Sequence, residues 1–532
     1  MRKPTKQHVL ISDPLSPEGV AILEAAKNIE VTVKTDHTPE ELLAAIPKYS
    51  GLIVRSQTRV SRGIIEAGQR LRVIGRAGVG VDNIDVATAT QAGIVVVNSP
   101  EGNNIAATEH TLALLLSLAR NVPAADASLR AGEWKRGKFT GVELYNKTLA
   151  VIGLGKIGTE VAKRARAFGM QVLGYDPFVT REHAELLGLR FVTLDEALQS
   201  ADFVTFHVPL NKDTKHIVNA KRLSQMKDGV RIINCARGGI IDEAALARAL
   251  ASGKVAGAAI DVFEEEPPID SPLIGLPGVI TTPHLGASTA EAQVKVAVDV
   301  AEQIVDVLSD RPARSPVNMP AIAAETLGRL QPYLRLVERI GSFHGQLATG
   351  GIRSVDVTFA GEIAGDDVGV LIPGLLKGLL QSILDESINY VNATYVAKSR
   401  NISVRETRES AAADYASLIT VRVIAENSEH IVSGCLFGKN DLRIVRLDDY
   451  RLDFSPEGLA LIAWHIDQPG LIGSVGTILG SREINIASMQ VGRVSQRGSA
   501  VMVLGVDERV TPEVLAQIEG VNGVTMCSLL EF

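Results

Sequence analysis

The stretch Val151-Ile-Gly-Leu-Gly-Lys-Ile-Gly158 decides the fold of the first half of this 532-residue chain. Its three glycines are spaced G-x-G-x-x-G, and they follow directly on an apolar run, Thr148–Ile152. A second apolar run, Gln171–Tyr175, comes one helix length later and ends at Asp176. This order predicts a strand, a glycine turn, a helix and a second parallel strand.

Each glycine of the turn has a separate role in binding a dinucleotide. Gly153 permits the tight turn, Gly155 lets the backbone approach a pyrophosphate, and Gly158 lets the helix pack on the strand. The helix N-terminus then offers free N–H groups to the phosphates. Asp176 can accept hydrogen bonds from the ribose hydroxyls and would repel a 2′-phosphate, so NAD is the predicted cofactor rather than NADP.

Composition restricts the class of protein. A net charge of −7 gives no support for binding nucleic acid or an anionic membrane. The three cysteines, Cys235, Cys435 and Cys527, form no close pair and no metal-ligand spacing, so we expect reduced thiols and no metal site. Residues 1–8 lack the apolar core of a signal peptide, and the apolar stretch 112–119 is too short to span a bilayer. We therefore expect a soluble, cytoplasmic protein.

The order of predicted elements divides the chain into four units. Residues 1–98 alternate strands and helices, which predicts a flavodoxin-like parallel sheet. A long helix over 288–310 has no strands of its own and should return to that sheet. The first, substrate-binding domain would then comprise 1–98 and 287–318, with a Rossmann cofactor domain, 99–286, inserted in it.

The C-terminal half has a different pattern. A proline-rich stretch, 311–320, marks a boundary. We expect an α+β intervening domain over 319–454, with strands near 354–359, 417–423 and 429–433. Residues 455–532 predict strand, helix, strand, strand, helix, strand, the βαββαβ order of a ferredoxin-like module.

Three polar residues follow predicted parallel strands, where open α/β sheets place functional groups. They are Arg237, Glu266 and His284. An imidazole can take the proton of a secondary alcohol as its hydride leaves for a nicotinamide. A carboxylate on the other ring nitrogen fixes the tautomer, and a guanidinium can grip a carboxylate with two bonds. Taken singly, each could be a structural or surface residue.

These motifs together resemble the D-isomer-specific 2-hydroxyacid dehydrogenases. The resemblance runs from residue 8 to about 318 and includes 75–85 and 98–103. It implies that Arg237 binds the substrate carboxylate, that His284 is the acid/base and that Glu266 is its partner. It also implies that the cofactor contacts residues in several turns: Gly153, Gly155, Lys156, Ile157, Gly158, Asp176, Val208, Cys235, Ala236, Asp261, Gly286 and Ala287.

The rest of the chain narrows the resemblance. Residues 459–532 resemble an ACT domain, a small-molecule sensor often tuned to amino acids. Residues 321–454 are similar to the intervening domain of the long 3-phosphoglycerate dehydrogenases. That family oxidises 3-phospho-D-glycerate to 3-phosphohydroxypyruvate in the first step of phosphorylated serine synthesis, and it often responds to L-serine.

A phosphorylated hydroxy acid would need cations and backbone donors. Val79 and its flanking glycines predict an N–H cradle for the substrate carboxylate, and Lys135 and Arg136 lie in a loop that in relatives can reach a neighbouring subunit's site. The loop could equally be a solvated basic loop. The full substrate-binding prediction is Arg55, Ser56, Gly78, Val79, Gly80, Asn103, Lys135 and Arg136.

The C-terminal module offers a candidate effector site at His465, Asp467 and Asn485. These positions fall where the family contacts L-serine, although Asp467 replaces an Asn of some relatives. The alternative is an ACT domain kept only for assembly. Basic residues near 439–451 could line an anion site, and solvated charges are the simpler interpretation. The apolar helix over 108–120 and the ACT module both predict a homo-oligomer, a dimer or a tetramer.

Two other functions remain open. One is a reductase for glyoxylate, hydroxypyruvate or another 2-oxo acid. The other is a non-catalytic, NAD-sensing scaffold on the same fold. The Arg237, Glu266 and His284 set argues against the scaffold.

Overall fold

The computed structural model describes residues 6–321 and 324–532. Its first sheet contains β1 (Gln7–Ile11), β2 (Ile29–Val33), β3 (Gly51–Val54), β4 (Val73–Arg76) and β5 (Val95–Asn98). The strands are parallel in the order β2-β1-β3-β4-β5, the flavodoxin-like order that the sequence predicts. The four shorter helices of this unit are α1 (Pro17–Ala25), α2 (Pro39–Ala45), α3 (Arg62–Ala67) and α4 (Val86–Gln91).

The chain then crosses into a second parallel sheet through α5 (Asn104–Arg120) and α6 (Val122–Arg130). The strands of this sheet are β6 (Thr148–Ile152), β7 (Gln171–Tyr175), β8 (Arg190–Phe191), β9 (Phe203–Phe206), β10 (Val230–Asn234), β11 (Val255–Ile260) and β12 (Val279–Thr281). Its helices are α7 (Lys156–Ala167), α8 (Arg181–Leu186), α9 (Leu194–Ser200), α10 (Ala220–Gln225) and α11 (Glu243–Ala251). The order β12-β11-β10-β9-β6-β7-β8 reverses direction at β6, which is the doubly wound dinucleotide-binding topology.

The long helix α12 (Ala290–Leu308) begins at an N-cap, Thr289, whose hydroxyl accepts from the Ala292 N–H. Its apolar face packs on the first sheet, with Val300 and Ile304 in the same buried cluster as β-strand residues. A Cβ on Gly75 of β4 would lie 2.5 Å from Val300 Cγ1, so glycine permits this close packing. We therefore propose the discontinuous division, with 1–98 and 287–318 forming one domain around the inserted 99–286.

The third unit is a six-stranded mixed sheet. Its strands are β13 (Ile352–Gly361), β14 (Ser403–Glu409), β15 (Ser417–Ala425), β16 (Glu429–Phe437), β17 (Asp441–Leu447) and β18 (Tyr450–Phe454), in the order β14-β13-β15-β16-β17-β18. Its helices are α13 (Ala324–Leu347), α14 (Leu371–Gln381) and α15 (Ala393–Ser399). The sequence analysis missed β14, β17 and β18. The first is a polar, exposed edge strand, and the other two carry basic residues of the 439–451 stretch.

The fourth unit has the expected βαββαβ order: β19 (Leu459–Ile466), α16 (Leu471–Ser481), β20 (Ile486–Arg493), β21 (Ser499–Val506), α17 (Pro512–Glu519) and β22 (Val524–Glu531). Its antiparallel order is β20-β21-β19-β22. We propose 319–454 and 455–532 as the third and fourth domains.

The last two sheets share one hydrophobic core. Ile462 of β19 and Phe343 of α13 belong to the same buried cluster. Gln346 of α13 makes two backbone hydrogen bonds to Glu531, donating to its O and accepting from its N, both at 2.9 Å. Helix α13 therefore joins the intervening sheet to the C-terminal sheet.

The third unit also contacts the first sheet. The side-chain amide of Asn389 donates to the Gly93 carbonyl at 2.9 Å. Among the helices of the described ranges, none has the length and apolar content that crossing a bilayer would require.

Candidate active site

A cleft of about 300 Å³ opens between the first and second sheets, at the carboxyl ends of their strands. The first domain contributes the turn after β4, and the inserted domain contributes the turns after β9 and β10. The side chains and backbone that line it are Arg76, Val79, Gly80, Asp82, Asn103, Ala107, Ile157, His207, Val208, Pro209, Cys235, Ala236, Arg237, His284, Gly286 and Ala287.

His284 and Glu266 form a hydrogen-bonded pair at this cleft. Nδ1 of His284 lies 2.8 Å from Oε2 of Glu266, while Oε1 of Glu266 accepts from the Phe263 N–H at 3.2 Å. The carboxylate is thus fixed by backbone on one side and imidazole on the other. Nε2 of His284 is left to face the cleft, where an acid/base must stand.

The charge state of Glu266 results from two opposing effects. Partial burial acts to raise its pKa, but the hydrogen bond from His284 and the nearby imidazole charge outweigh burial, so the net pKa is below the ordinary value. Glu266 is therefore ionised at neutral pH and accepts the hydrogen bond from Nδ1 of His284.

Arg237 also lines the cleft, in the turn after β10. Its Nε donates to Asp82 Oδ2 at 2.9 Å, and its NH1 donates to the Ala236 carbonyl at 2.7 Å. A Cβ on Gly80 would lie 2.0 Å from Arg237 NH2, so a side chain there would displace this guanidinium. Arg237 and Asp82 join the two domains across the cleft.

Asp261 lies beneath the loop that carries His284 and is fully buried. Burial acts to raise its pKa, but hydrogen bonds from His110, Thr282 and backbone N–H groups outweigh burial, so its pKa lies below the ordinary value. Cys235 lies nearby, and burial, with the charge of Asp261, raises the pKa of its thiol to about 12. His110, Cys235 and Asp261 place donor atoms within 4.8 Å of one another, but the Asp261 oxygens already accept hydrogen bonds.

The glycine turn has the geometry that a pyrophosphate needs. Gly153 has φ of 97°, and a Cβ there would lie 2.4 Å from the His207 carbonyl oxygen. A Cβ on Gly158 would lie 1.9 Å from the Gly153 oxygen, whereas a Cβ on Gly155 would meet nothing within 4 Å. Open space at Gly155, at the start of α7, leaves room for a phosphate against free N–H groups.

Asp176 ends β7 beside this turn. Its two oxygens accept from the N–H groups of Leu154 and Phe178, each at 2.8 Å. The carboxylate is thereby oriented at the edge of the turn, where the adenosine ribose is expected. Lys156, the first residue of α7, pairs with Glu101.

The structure brings most of the predicted cofactor residues to one cleft. Ile157, Val208, Cys235, Ala236, Gly286 and Ala287 all line it, while Asp261 lies directly behind them.

The predicted substrate residues divide into two groups. Val79, Gly80 and Asn103 line the cleft, and within the described part of the chain nothing accepts a hydrogen bond from the Val79 or Gly80 N–H. Gly78 has φ of 151°, in the region that favours glycine.

The remaining predicted substrate residues lie in two other segments of the chain. Arg55 directly follows β3, beside β4, and Ser56 is exposed after it. Lys135 and Arg136 are exposed and do not line this cleft; Lys135 pairs with Glu133 at 2.9 Å. A role in a neighbouring subunit's site stays a prediction.

The sequence analysis missed Arg76, the last residue of β4. Burial, reinforced by the charges of Arg237 and Arg55, lowers its pKa to about 10, so it remains a cation at neutral pH. Its Nε is buried without a hydrogen-bond partner in the structure. The strand-end rule that identified Arg237 applies equally to Arg76 and would have found it.

Two histidines were also missed. His207 follows β9 and lines the cleft, and burial lowers its pKa to about 3, so its ring is neutral. His110 lies on α5, where no local pattern distinguishes it from a helix-surface residue. Its contact with Asp261 is visible only in the tertiary structure.

The candidate effector residues lie around the end of β19 and the start of β20. His465 is buried and its Nε2 has no hydrogen-bond partner in the structure. Asp467 pairs with Arg493 at 2.9 Å, which lowers the pKa of the carboxyl. The Asn485 amide donates to Asp507 at 2.6 Å.

The basic residues near 439–451 are largely paired with acids or carbonyls. Arg443 contacts Asp441 and Asp453, and Arg446 donates to the Asp448 carbonyl. This arrangement favours the simpler interpretation of solvated charges.

Comparison with known proteins shows the family. Residues 112–286 match the NAD binding domain of D-isomer specific 2-hydroxyacid dehydrogenases, 329–448 match the D-3-phosphoglycerate dehydrogenase intervening domain, and 460–523 match the ACT domain. The D-3-phosphoglycerate dehydrogenase of Synechocystis is 46% identical over 98% of this chain and 94% of its own length. The chain belongs to the D-3-phosphoglycerate dehydrogenase family. A further relative of the same name, from Methanocaldococcus jannaschii, is 47% identical over 97% of this chain and 98% of its own.

Solved structures resemble the first part of this family member. A glyoxylate reductase from Paecilomyes thermophila has a TM-score of 0.54 and 32% identity, over 59% of this chain and 98% of its own. A D-lactate dehydrogenase from Aquifex aeolicus, complexed with NAD and lactic acid, has a TM-score of 0.52 and 29% identity, over 59% and 100%. The predicted fold class, the NAD cofactor and the NAD-dependent dehydrogenase activity are confirmed.

Proposed function

We propose that this chain oxidises 3-phospho-D-glycerate to 3-phosphohydroxypyruvate with NAD, the opening step of phosphorylated L-serine synthesis. Family membership over the whole chain supports this function. The decisive observation is that His284, paired with Glu266, lines the same cleft as Arg237 and Arg76.

The residues would divide the reaction among them. Arg237 and the free N–H groups of Val79 and Gly80 hold the substrate carboxylate. Arg76, with Arg55 beside it, is the site we assign to the phosphate. NAD, when bound, accepts the hydride from the carbinol carbon.

Proton transfer is the task of His284. Its Nε2 takes the hydroxyl proton, and ionised Glu266 on Nδ1 stabilises the imidazolium that results. The walls of the cleft hold the alcohol, the imidazole and the cofactor-facing turn in one place and limit access of water.

The test compares initial rates of wild type and His284→Ala with 3-phosphoglycerate and NAD. Because this variant lacks the general base, its kcat is expected to fall by about 10²–10⁴-fold, while its NADH affinity stays near wild type. His216→Ala is the matched control, because His216 also pairs with a glutamate, Glu264, at 2.9 Å but does not line the cleft.

Three results would overturn the proposal. Full turnover by His284→Ala would remove its assigned role. Equal rates with unphosphorylated D-2-hydroxy acids would favour a 2-oxo acid reductase. Tight NAD binding without turnover on any of these acids would favour the non-catalytic scaffold.

We also propose that L-serine acts through the ACT domain. The buried, unpartnered Nε2 of His465 supports a polar ligand near Asp467. A serine ammonium group would have to share the Asp467 carboxylate with Arg493. The same rate assay with added L-serine tests this, and rates that do not change with serine would contradict it.

A homo-oligomer is part of the proposal. The helix α6 and the loop after it expose Val122, Leu129 and Trp134, the last to 74%. Such side chains are typical of an interface. A neighbouring copy would bring Lys135 and Arg136 toward the cleft, in a dimer or tetramer.

A further inference from the structure

His110 lies behind the reacting residues rather than among them. It projects from α5, and its side chain is 18% exposed. Its Nε2 lies 3.1 Å from Asp261 Oδ1 and 3.3 Å from Thr282 Oγ1. The proposed reaction assigns it no step.

Asp261 connects His110 to the loop of the acid/base. The two carboxylate oxygens of Asp261 accept from the N–H groups of Leu285, at 2.7 Å, and Gly286, at 3.0 Å. Its own carbonyl accepts from the His284 N–H at 2.9 Å. One buried residue thus holds the backbone of His284 and of the two residues after it.

The loop needs such a restraint. His284 has φ of 54°, in the left-handed region, which is unfavourable for a residue with a side chain. Such a conformation persists only where the surroundings hold it. A carboxylate that swung away or became protonated would no longer accept both backbone bonds.

Two of the remaining donors to the Asp261 carboxylate, the Leu285 and Gly286 N–H groups, belong to the loop that Asp261 itself holds. The Thr282 hydroxyl, directly after β12, donates at 2.6 Å. His110 is the donor from a different element, the helix α5, whose neighbouring residues Leu114, Leu115 and Leu118 are buried against the second sheet. It therefore anchors the carboxylate to a rigid part of the inserted domain.

We propose that His110 is a positioning residue for the dehydrogenase reaction: by donating Nε2–H to Asp261, it fixes the carboxylate that holds the 284–286 loop and so sets His284 in the cleft. The effect on turnover rests on the proposed function. The effect on the loop does not, because it requires no cofactor or substrate.

The test compares His110→Leu, which removes the donor, with His110→Gln, whose amide can reach the place of Nε2. His110→Leu is expected to lower kcat by about 10- to 100-fold and to leave the KM for 3-phosphoglycerate and the NADH affinity near wild type. His110→Gln is expected to recover most of kcat. Should the leucine variant not fold, His110→Asn, whose amide is too short to reach Asp261, replaces it.

Hydrogen–deuterium exchange on the protein without cofactor gives the second readout. The Leu285 and Gly286 amides should exchange faster in the donor-free variant and at the wild-type rate in His110→Gln. Unchanged kcat in the donor-free variant, unchanged exchange at these amides, or failure of a folded glutamine variant to recover kcat would each overturn the inference. If wild type shows no turnover, the proposed function fails, while the exchange comparison still decides whether His110 holds the loop.

Discussion

The guanidinium groups of Arg76 and Arg237 line the cleft, and that of Arg55 is near enough to Arg76 for its charge to act on it. Arg76 is close enough to the other two that their charges lower its pKa further than burial alone does. Asp82 and Asp13 offset this repulsion only in part, so an anion would stabilise the cluster. A substrate with both a carboxylate and a phosphate meets this requirement.

Arg76→Ala should therefore raise the KM for 3-phosphoglycerate. Loss of a hydrogen bond to a charged group costs about 1.5–3 kcal/mol, or roughly 10- to 150-fold. Steady-state kinetics measure this, with unphosphorylated D-2-hydroxy acids as the comparison, for which the change should be much smaller. Arg72→Ala is the control, because Arg72 lies just before the opposite end of β4 and pairs with Asp310. An equal KM change in both variants would contradict a phosphate role.

The position of a residue at the cleft was predictable from sequence where a polar residue stands at the end of a strand. That rule identified Arg237 and applies to Arg76. Asp82 and His110 lie in a turn and on a helix, with no periodic signal, and their partners are 155 and 151 residues away in the chain. Only the tertiary fold pairs them.

At the scale of the element, the glycine turn shows that similar glycines have different tasks. Gly158 has backbone against it, whereas Gly155 faces open space at the N-terminus of α7. Gly158 therefore serves the packing of the helix on the strand, and we expect Gly155 to serve the ligand.

The two positions can be separated by alanine substitution. Gly158→Ala should lower the free energy of unfolding by about 1–3 kcal/mol, because the added methyl group overlaps the Gly153 carbonyl. Gly155→Ala should leave Tm unchanged, since its φ of −69° suits alanine, but should weaken NADH binding. Thermal unfolding and NADH fluorescence titration measure the two effects. Wild-type NADH affinity in Gly155→Ala would show that the pyrophosphate lies elsewhere.

Elements with a strong apolar period were predictable, and polar edge elements were not. Central strands of the two parallel sheets, such as β3 and β9, are apolar and buried on both faces. The polar β14 is bound to β13 through its backbone ladder and an Arg405–Asp356 ion pair at 2.9 Å, which leaves little hydrophobic pattern in its sequence.

At the scale of the whole molecule, the two C-terminal units form one packed body. Along β19, Leu461 and Ala463 face the cluster that contains α16 and α17, while Ala460 and Ile462 face the cluster that contains α13. The sequence shows that both faces of this strand are apolar. It cannot show that the cover of the second face comes from a helix more than a hundred residues earlier.

We expect the intervening and ACT domains to unfold together. Phe343, fully buried in the shared core, packs 6.1 Å from the Phe532 ring. Phe343→Ala should cost about 3–5 kcal/mol and lower one calorimetric transition that includes both domains. Phe178→Ala, at an exposed position, is the control and should leave Tm unchanged. Separate transitions for the two domains, with only one of them shifted, would contradict a common core.

The return of α12 to the first sheet has a consequence for synthesis on the ribosome. The first sheet is complete at Asn98, but α12, which covers one of its faces together with α1, starts only at Ala290, about 190 residues later. At about 5–20 residues per second, translation of the residues between the sheet and α12 takes roughly 10–40 s. The nascent chain therefore exposes an apolar sheet throughout synthesis of the inserted domain, an interval in which chaperone binding or premature association can act.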